Sequence, residues 1–197
     1  MLLAVAGFGA LLVTRDASAL GPFEVEVAAK VGGGTNPVNL PSSAQGGPPQ
    51  VNALGFGLGT RAGASFYGFY GGISFMYYLG GRQAPYGTDS NILLRRESFN
   101  SLMYGVEAGY DFSVSLLTVR PQFGVGNFTL TASSPGTTSS SSNNIYLGVG
   151  IVALLSLGRW LVGTDAGTFL LPGWSDSHPG GNSKEALTAH GQVGVRF

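Results

Sequence analysis

The stretch Gly68-Phe69-Tyr70-Gly71-Gly72-Ile73-Ser74-Phe75-Met76-Tyr77-Tyr78-Leu79 decides the fold. Phe69, Ile73, Phe75, Tyr77 and Leu79 share one parity, and Tyr70, Gly72, Ser74, Met76 and Tyr78 share the other. Side chains on a strand point to alternate faces, whereas a helix repeats every ~3.6 residues. The spacing therefore predicts a strand with one wholly apolar face. Its second face mixes small, polar and aromatic residues.

The same alternation recurs along the chain. A first strand sets Phe23, Val25, Val27, Ala29 and Val31 against Glu24, Glu26, Ala28, Lys30 and Gly32. A second, about Val51 to Gly63, sets Leu54, Phe56, Leu58, Thr60 and Ala62 against Gly55, Gly57, Gly59 and Arg61. The stretch from Gly68 to Leu79 is the third. A fourth, about Asn100 to Tyr110, sets Leu102, Tyr104, Val106 and Ala108 against Ser101, Met103, Gly105, Glu107 and Gly109. A fifth, about Leu116 to Phe128, sets Leu117, Val119, Pro121, Phe123 and Val125 against Thr118, Arg120, Gln122, Gly124 and Gly126. Pro121 sits awkwardly there, because proline removes a ladder donor. Three more are expected at about Asn144 to Leu155, Trp160 to Leu171 and Ala186 to Phe197. A tilted membrane-crossing strand needs ~9–11 residues, and each of these is long enough.

Composition narrows the class. Only 10% of the 197 residues are charged, against ~25% in an ordinary soluble domain. No apolar run reaches the ~20 residues of a membrane helix. Zero net charge and a pI near 6.7 argue against nucleic acid as a partner, which calls for a basic stripe. The 33 glycines follow no three-residue period, so the chain is not collagen-like. Cysteine is absent.

The N-terminus reads MLLAVAGFGALLV, then Thr14-Arg15-Asp16 and Ala17-Ser18-Ala19. An apolar run of this length before a small-x-small site reads as a secretory signal peptide over residues 1–19, although no Lys or Arg precedes it. The barrel domain is then expected over residues 20–197. Long polar connections are expected at about Gly34 to Gln50, Gly80 to Phe99, Thr129 to Asn143 and Pro172 to Glu185. Short ones are expected around Ala64 to Tyr67, Asp111 to Ser115 and Ser156 to Arg159. Long-short alternation in an antiparallel meander is the habit of bacterial outer-membrane barrels, whose long loops face outside and short turns face the periplasm.

Periodicity alone leaves open which face is outside; a soluble lipocalin-like barrel would put the apolar face inward around an apolar ligand. Three features favour outward. The mixed faces carry Lys30, Arg61, Arg120 and Arg196 against Glu24, Glu26, Glu107 and Asp165. That is too little charge for a solvated exterior, but it is balanced as a buried ion-pair network must be. Aromatics gather at the expected periplasmic ends (Phe23, Phe66, Tyr67, Phe69, Tyr110, Phe112, Trp160, Phe197), with Tyr77, Tyr78 and Phe128 toward the other rim, as in interfacial girdles. No helical stripe follows the eighth strand, as a lipocalin-type chain would have.

The ending Ala189-His190-Gly191-Gln192-Val193-Gly194-Val195-Arg196-Phe197 looks like an outer-membrane assembly signal, with Val193, Val195 and Phe197 alternating toward a terminal aromatic. With the eight strands, the chain resembles the small OmpA/OmpX-like, porin-like outer-membrane barrels of Gram-negative bacteria. The resemblance implies an all-β fold, an eight-stranded antiparallel up-and-down transmembrane barrel. It also implies export to the outer membrane and insertion by the barrel assembly machinery. Lipid and lipopolysaccharide are the expected surroundings of a monomer, with no cofactor. No globular domain is expected after strand eight, so the resemblance is not expected to extend to cell-wall anchoring.

The expected role is non-enzymatic: structural, or interaction at the cell surface. A narrow gated channel is the second reading. A lipid-modifying enzyme is the third, and it needs a nucleophile, a base and an orienting acid in one place. His190 with Asp165 and a serine could be drawn so. The test is a Ser Oγ within hydrogen-bond reach of a His nitrogen. His178 and His190 without cysteine or HExxH give no metal signal. Gly55-Phe56-Gly57-Leu58-Gly59 lacks the following helix of a dinucleotide site. The Ser/Thr tract over Thr137 to Ser142 reads as a solvated loop tip. Arg95 and Arg96 fall in the second long loop, where paired guanidiniums suit lipopolysaccharide phosphates.

Overall fold

The computed structural model describes residues 23–35, 54–82, 98–133, 140–172 and 185–197. The signal-peptide residues, His178, Arg95 and Arg96 lie outside the described residues. In chain order the strands are β1 (Phe23–Gly34), β2 (Phe56–Phe66), β3 (Phe69–Arg82), β4 (Ser98–Tyr110), β5 (Phe112–Val114), β6 (Leu117–Ser133), β7 (Ser140–Leu157), β8 (Trp160–Leu170) and β9 (Glu185–Arg196). All pairings are antiparallel; β1 pairs with β9 and β4 pairs with β6, which closes the sheet.

β4 and β5 act as one barrel strand. Gly109 faces Gln122 and Phe112 faces Val119, so the register with β6 passes unshifted across Asp111. The ladder lapses where the chain runs opposite Pro121, which has no N–H to give. The Asp111 N–H instead donates to the Gly68 carbonyl at 2.7 Å. The barrel is thus closed and eight-stranded.

Its stagger follows from the register. A circuit from Glu24 runs through Ser65, Tyr70, Gly109, Gln122, Gly150, Gly167 and Thr188 and returns to β1 at Gly34. The return is ten residues further along the strand. For eight strands that stagger tilts the chain roughly 40° from the barrel axis.

One end carries the two-residue turns, together with Phe23 and Phe197. At the Tyr67–Gly68 turn both φ values are positive, 49° and 84°, the conformation that matches hairpin twist. Ser115 (57°) and Gly158 (66°) open the other two turns. This is called the turn end below, and the opposite one the loop end.

The alternation reads as expected along the strands: Val27, Ile73, Val106, Phe123, Val149, Val162 and Leu187 all point outward and are exposed. No mid-strand outward position among the described residues is charged. Several local expectations are corrected. Val51 to Gly55 is not strand where it is described; β2 begins at Phe56, and Leu54 turns inward and is fully buried. The short connection placed at Asp111 to Ser115 is a ladder break followed by β5, and the turn itself is Ser115–Leu116. Much of the loop placed at Thr129 to Asn143 is strand, paired as far as Ala132 with Ser140. Thr129 Oγ1 holds that extension by donating to Asn143 Oδ1 at 2.6 Å, and threonine suits a pleated surface. Tyr78 and Phe128, assigned to a rim girdle, are fully buried inside. Their parity in β3 and β6 is that of the inner face. The aromatics of the turn end do face outward, with edge-to-face contacts at Phe69–Tyr110 and Tyr110–Phe112.

Candidate functional site in the barrel interior

The interior has three levels, set by where inward residues fall along their strands. Nearest the turn end, Arg120 of β6 is fully buried and holds two carboxylates. Its Nη1 and Nη2 donate to the two oxygens of Glu26 at 2.6 and 3.1 Å. Its Nε and Nη2 donate to the two oxygens of Asp111 at 2.5 and 2.9 Å. The planar guanidinium fork matches a carboxylate edge to edge, which an ammonium cannot do. The same guanidinium lies 3.6 Å from the ring centre of Tyr70, a cation–π contact.

Around that clamp the remaining charges close up. Arg61 donates from Nε to the Tyr70 hydroxyl at 2.9 Å. It lies 3.5 Å from Glu26 and 3.4 Å from Glu107. Arg196 bridges Glu26 and Glu24, both at 3.1 Å. Ser65 donates its hydroxyl to Asp111 at 2.7 Å. Three arginines thus converge on Glu26.

Lys30 and Asp165 stand apart from this cluster, higher in the barrel. Their Nζ–Oδ2 distance is 2.9 Å. The other Asp165 oxygen meets His190 Nδ1 at 2.7 Å, and His190 Nε2 meets the Tyr78 hydroxyl at 2.9 Å. The eight charges read from the sequence therefore fall into two groups: six around Arg120, and the pair Lys30–Asp165. Asp111 and Tyr70 join the first group, and His190 and Tyr78 extend the second. The signal for Asp111 was present: Glu107, Gly109 and Asp111 share a parity, and the alternation continues through the ladder break.

Between the groups lies a cavity of about 60 Å³, bordered by Lys30, Ser74, Glu107, Gln122, Tyr146, Asp165 and His190. Met76, Met103 and Phe169 also line it, so its wall is mixed, with room for a small number of waters beside the polar groups. Toward the loop end the interior turns apolar, with Leu54, Met76, Tyr78, Phe128, Phe169 and Leu171 packed together. Glycines make the space for its rings. A Cβ at Gly57 would strike the Tyr78 ring, and one at Gly105 would strike the Tyr146 hydroxyl.

The catalytic arrangement drawn from the sequence is half present. His190 does sit on Asp165, but its second nitrogen faces a tyrosine hydroxyl rather than a serine. Among the described residues no group of three or more His, Cys, Asp or Glu is placed to hold a metal ion. Val193, Val195 and Phe197 lie on the outward face beside β1 and β8.

No family model matches the chain, and no curated protein matches it. Solved structures do. The Neisserial surface protein A, NspA, superposes with a TM-score of 0.54 at 19% identity over 89% of this chain and 97% of its own. A major outer membrane protein of Thermus thermophilus gives 0.55 at 15%, over 89% and 99%. Ail, the attachment invasion locus protein of Yersinia pestis, was solved in complex with the heparin analogue sucrose octasulfate. It gives 0.51 at 12%, again over 89% and 99%. The fold is that of the small eight-stranded outer-membrane barrels. At these identities the likeness concerns the path of the backbone; the barrel interior of this chain has its own residues.

Proposed function

We propose that this chain is an integral outer-membrane barrel with a non-enzymatic, structural or surface-interaction role, closed to steady passage of solutes. The observation that carries the reading is the filling of the interior at two levels. The Arg120 clamp blocks the turn end, and an apolar cluster around Tyr78 and Phe128 blocks the loop end. An eight-stranded barrel is only wide enough for side chains to fill. The outward mid-strand positions, uncharged among the described residues and largely apolar, support lipid as the solvent, since monomeric soluble proteins rarely expose contiguous apolar patches of more than a few hundred Å². Planar bilayers holding the purified chain are expected to show no steady conductance at neutral pH. A large, stable open level would overturn the closed reading and favour the channel.

The same reading has partners. Val193, Val195 and Phe197 would present the closing strand to the barrel assembly machinery during insertion. Once inserted, the barrel stands as a monomer among outer-membrane lipids and lipopolysaccharide. Arg95 and Arg96 are its proposed lipopolysaccharide contact, because paired guanidiniums match phosphate oxygens. Replacing both with alanine is expected to weaken binding to lipopolysaccharide micelles in a direct titration; unchanged affinity would remove the assignment.

A further inference from the structure

We propose that the charges on the inner face of β1 set the register at which the barrel closes. The inference rests on the closed-barrel reading and gives the ion pairs a second task beside filling the interior. Three hairpins are aligned by their own connections, the short turns at Tyr67–Gly68, Ser115–Leu116 and Gly158–Arg159, because turn length fixes hairpin register. β1 and β9 are joined by no turn, since all the other strands lie between them in the chain. Their register must come from contacts across the seam.

The outward face does not choose it. Val27 lies opposite Val195, Ala29 opposite Val193 and Val31 opposite Gly191. Sliding β9 by two residues keeps every side chain on its own face. Val27 then meets Val193 or Phe197, and Ala29 meets Gly191 or Val195. All of these are apolar pairs. Beyond Val31, β1 presents only Gly32, Gly33 and Gly34 to β9, with no side chain to interlock. Yet such a slide changes the stagger of the whole barrel by two residues, and with it the strand tilt.

The inner face does choose. Lys30 lies opposite Gln192 of β9 and reaches past it to Asp165 of β8, at 2.9 Å. Arg196 lies opposite Glu26 and holds both Glu26 and Glu24 at 3.1 Å. A slide of two residues carries β8 and β9 about 7 Å along β1. In either direction Asp165 moves by that step relative to Lys30, and both are buried. Toward the loop end Arg196 comes opposite Ala28; toward the turn end Gly194 comes opposite Glu26. A buried charge parted from its partner costs far more than exchanging one apolar pair for another. The native register is therefore the one at which the cations and carboxylates on the two sides of the seam meet.

The test joins cysteines across the seam of the full chain refolded in phospholipid vesicles. The chain has no cysteine of its own, so only the introduced thiols react. Facing Cα atoms of a hydrogen-bonded pair lie about 5.5 Å apart, within disulfide reach, and diagonal ones about 7–8 Å apart, beyond it. Val27→Cys with Val195→Cys therefore reports the native register. Val27→Cys with Val193→Cys, or with Phe197→Cys, reports a slide of two residues. On mild oxidation the otherwise native chain is expected to join only the first pair. With Lys30→Met and Arg196→Met added, a slid pair should form at least about tenfold more than in the native background. Lys30→Arg should keep the native cross-link alone. If the doubly uncharged chain does not fold, Lys30→Met by itself decides through the same cross-links. A chain without these cations that still joins only Val27→Cys to Val195→Cys would overturn the proposal. So would a Lys30→Met chain that does not fold, because the charge would then hold the barrel together rather than align it. A native chain in which none of the three pairs joins would instead overturn the closed barrel beneath it.

Discussion

Replacing Arg120 with methionine is expected to destabilise the folded barrel by roughly 3–5 kcal/mol, the cost of breaking a buried ion pair by removing one partner. The size follows from what is left behind. Glu26 and Asp111 each lose two hydrogen bonds from one guanidinium, and Tyr70 loses the cation stacked on its ring. Arg61 and Arg196 still reach Glu26, but the described contacts of Asp111 fall back to Ser65 and the strand. Methionine has a similar length and no charge, so it fills the space without meeting the carboxylates. Urea titration of the protein refolded in phospholipid vesicles measures the loss. Arg120→Lys should fall between, because an ammonium keeps the charge and loses the planar fork. Adding Glu26→Gln to the methionine variant should cost less than the two changes measured separately, because the residues act through one contact. A methionine variant within about 1 kcal/mol of the native barrel would show that the clamp is a bystander, of the kind common among exposed pairs.

Val149→Lys is expected to cost about 2–4 kcal/mol in the same titration if the outward face meets lipid near the bilayer midplane. Val149 points outward from the middle of β7 between Phe123 and Thr168, and is 57% exposed. In water such a position would accept lysine at almost no cost. Leu157→Lys, at the turn end of the same strand, is the internal control; near an interface the cost falls to about 0–1 kcal/mol. A depth-dependent difference between the two positions therefore reports lipid. Equal tolerance would count against an outward lipid face and revive the soluble barrel.

The legible part of this structure is the part carried by parity. Phe69, Ile73, Phe75 and Tyr77 share one face because a strand repeats every two residues, and nothing distant is needed to know it. The inward assignment of Glu26, Arg61 and Arg120 joined that parity to the scarcity of charge on their face. Where the reading failed, it set parity aside for composition. Thr129 to Asn143 looked like loop because it is rich in Ser, Thr and Asn, yet most of its backbone pairs as strand. Tyr78 and Phe128 looked like girdle because they are aromatic near a strand end, yet their parity pointed inward. Asp111 was read as turn although it continues the face of Glu107.

By itself, then, the sequence determined a meander of strands, each with one apolar face, and a small set of charges of both signs confined to the other face. Those are consequences of local alternation. Only the tertiary structure decided which of those charges meet. Parity gives a side chain's face but not its height. Height depends on a stagger of ten residues accumulated around the whole barrel. That stagger brings Glu26 to Arg120 across 94 residues of chain and Tyr78 to His190 across 112. It also parts Lys30 and Asp165 from the arginine cluster. Register around a closed sheet belongs to all the strands at once, so no single stretch of the chain encodes it.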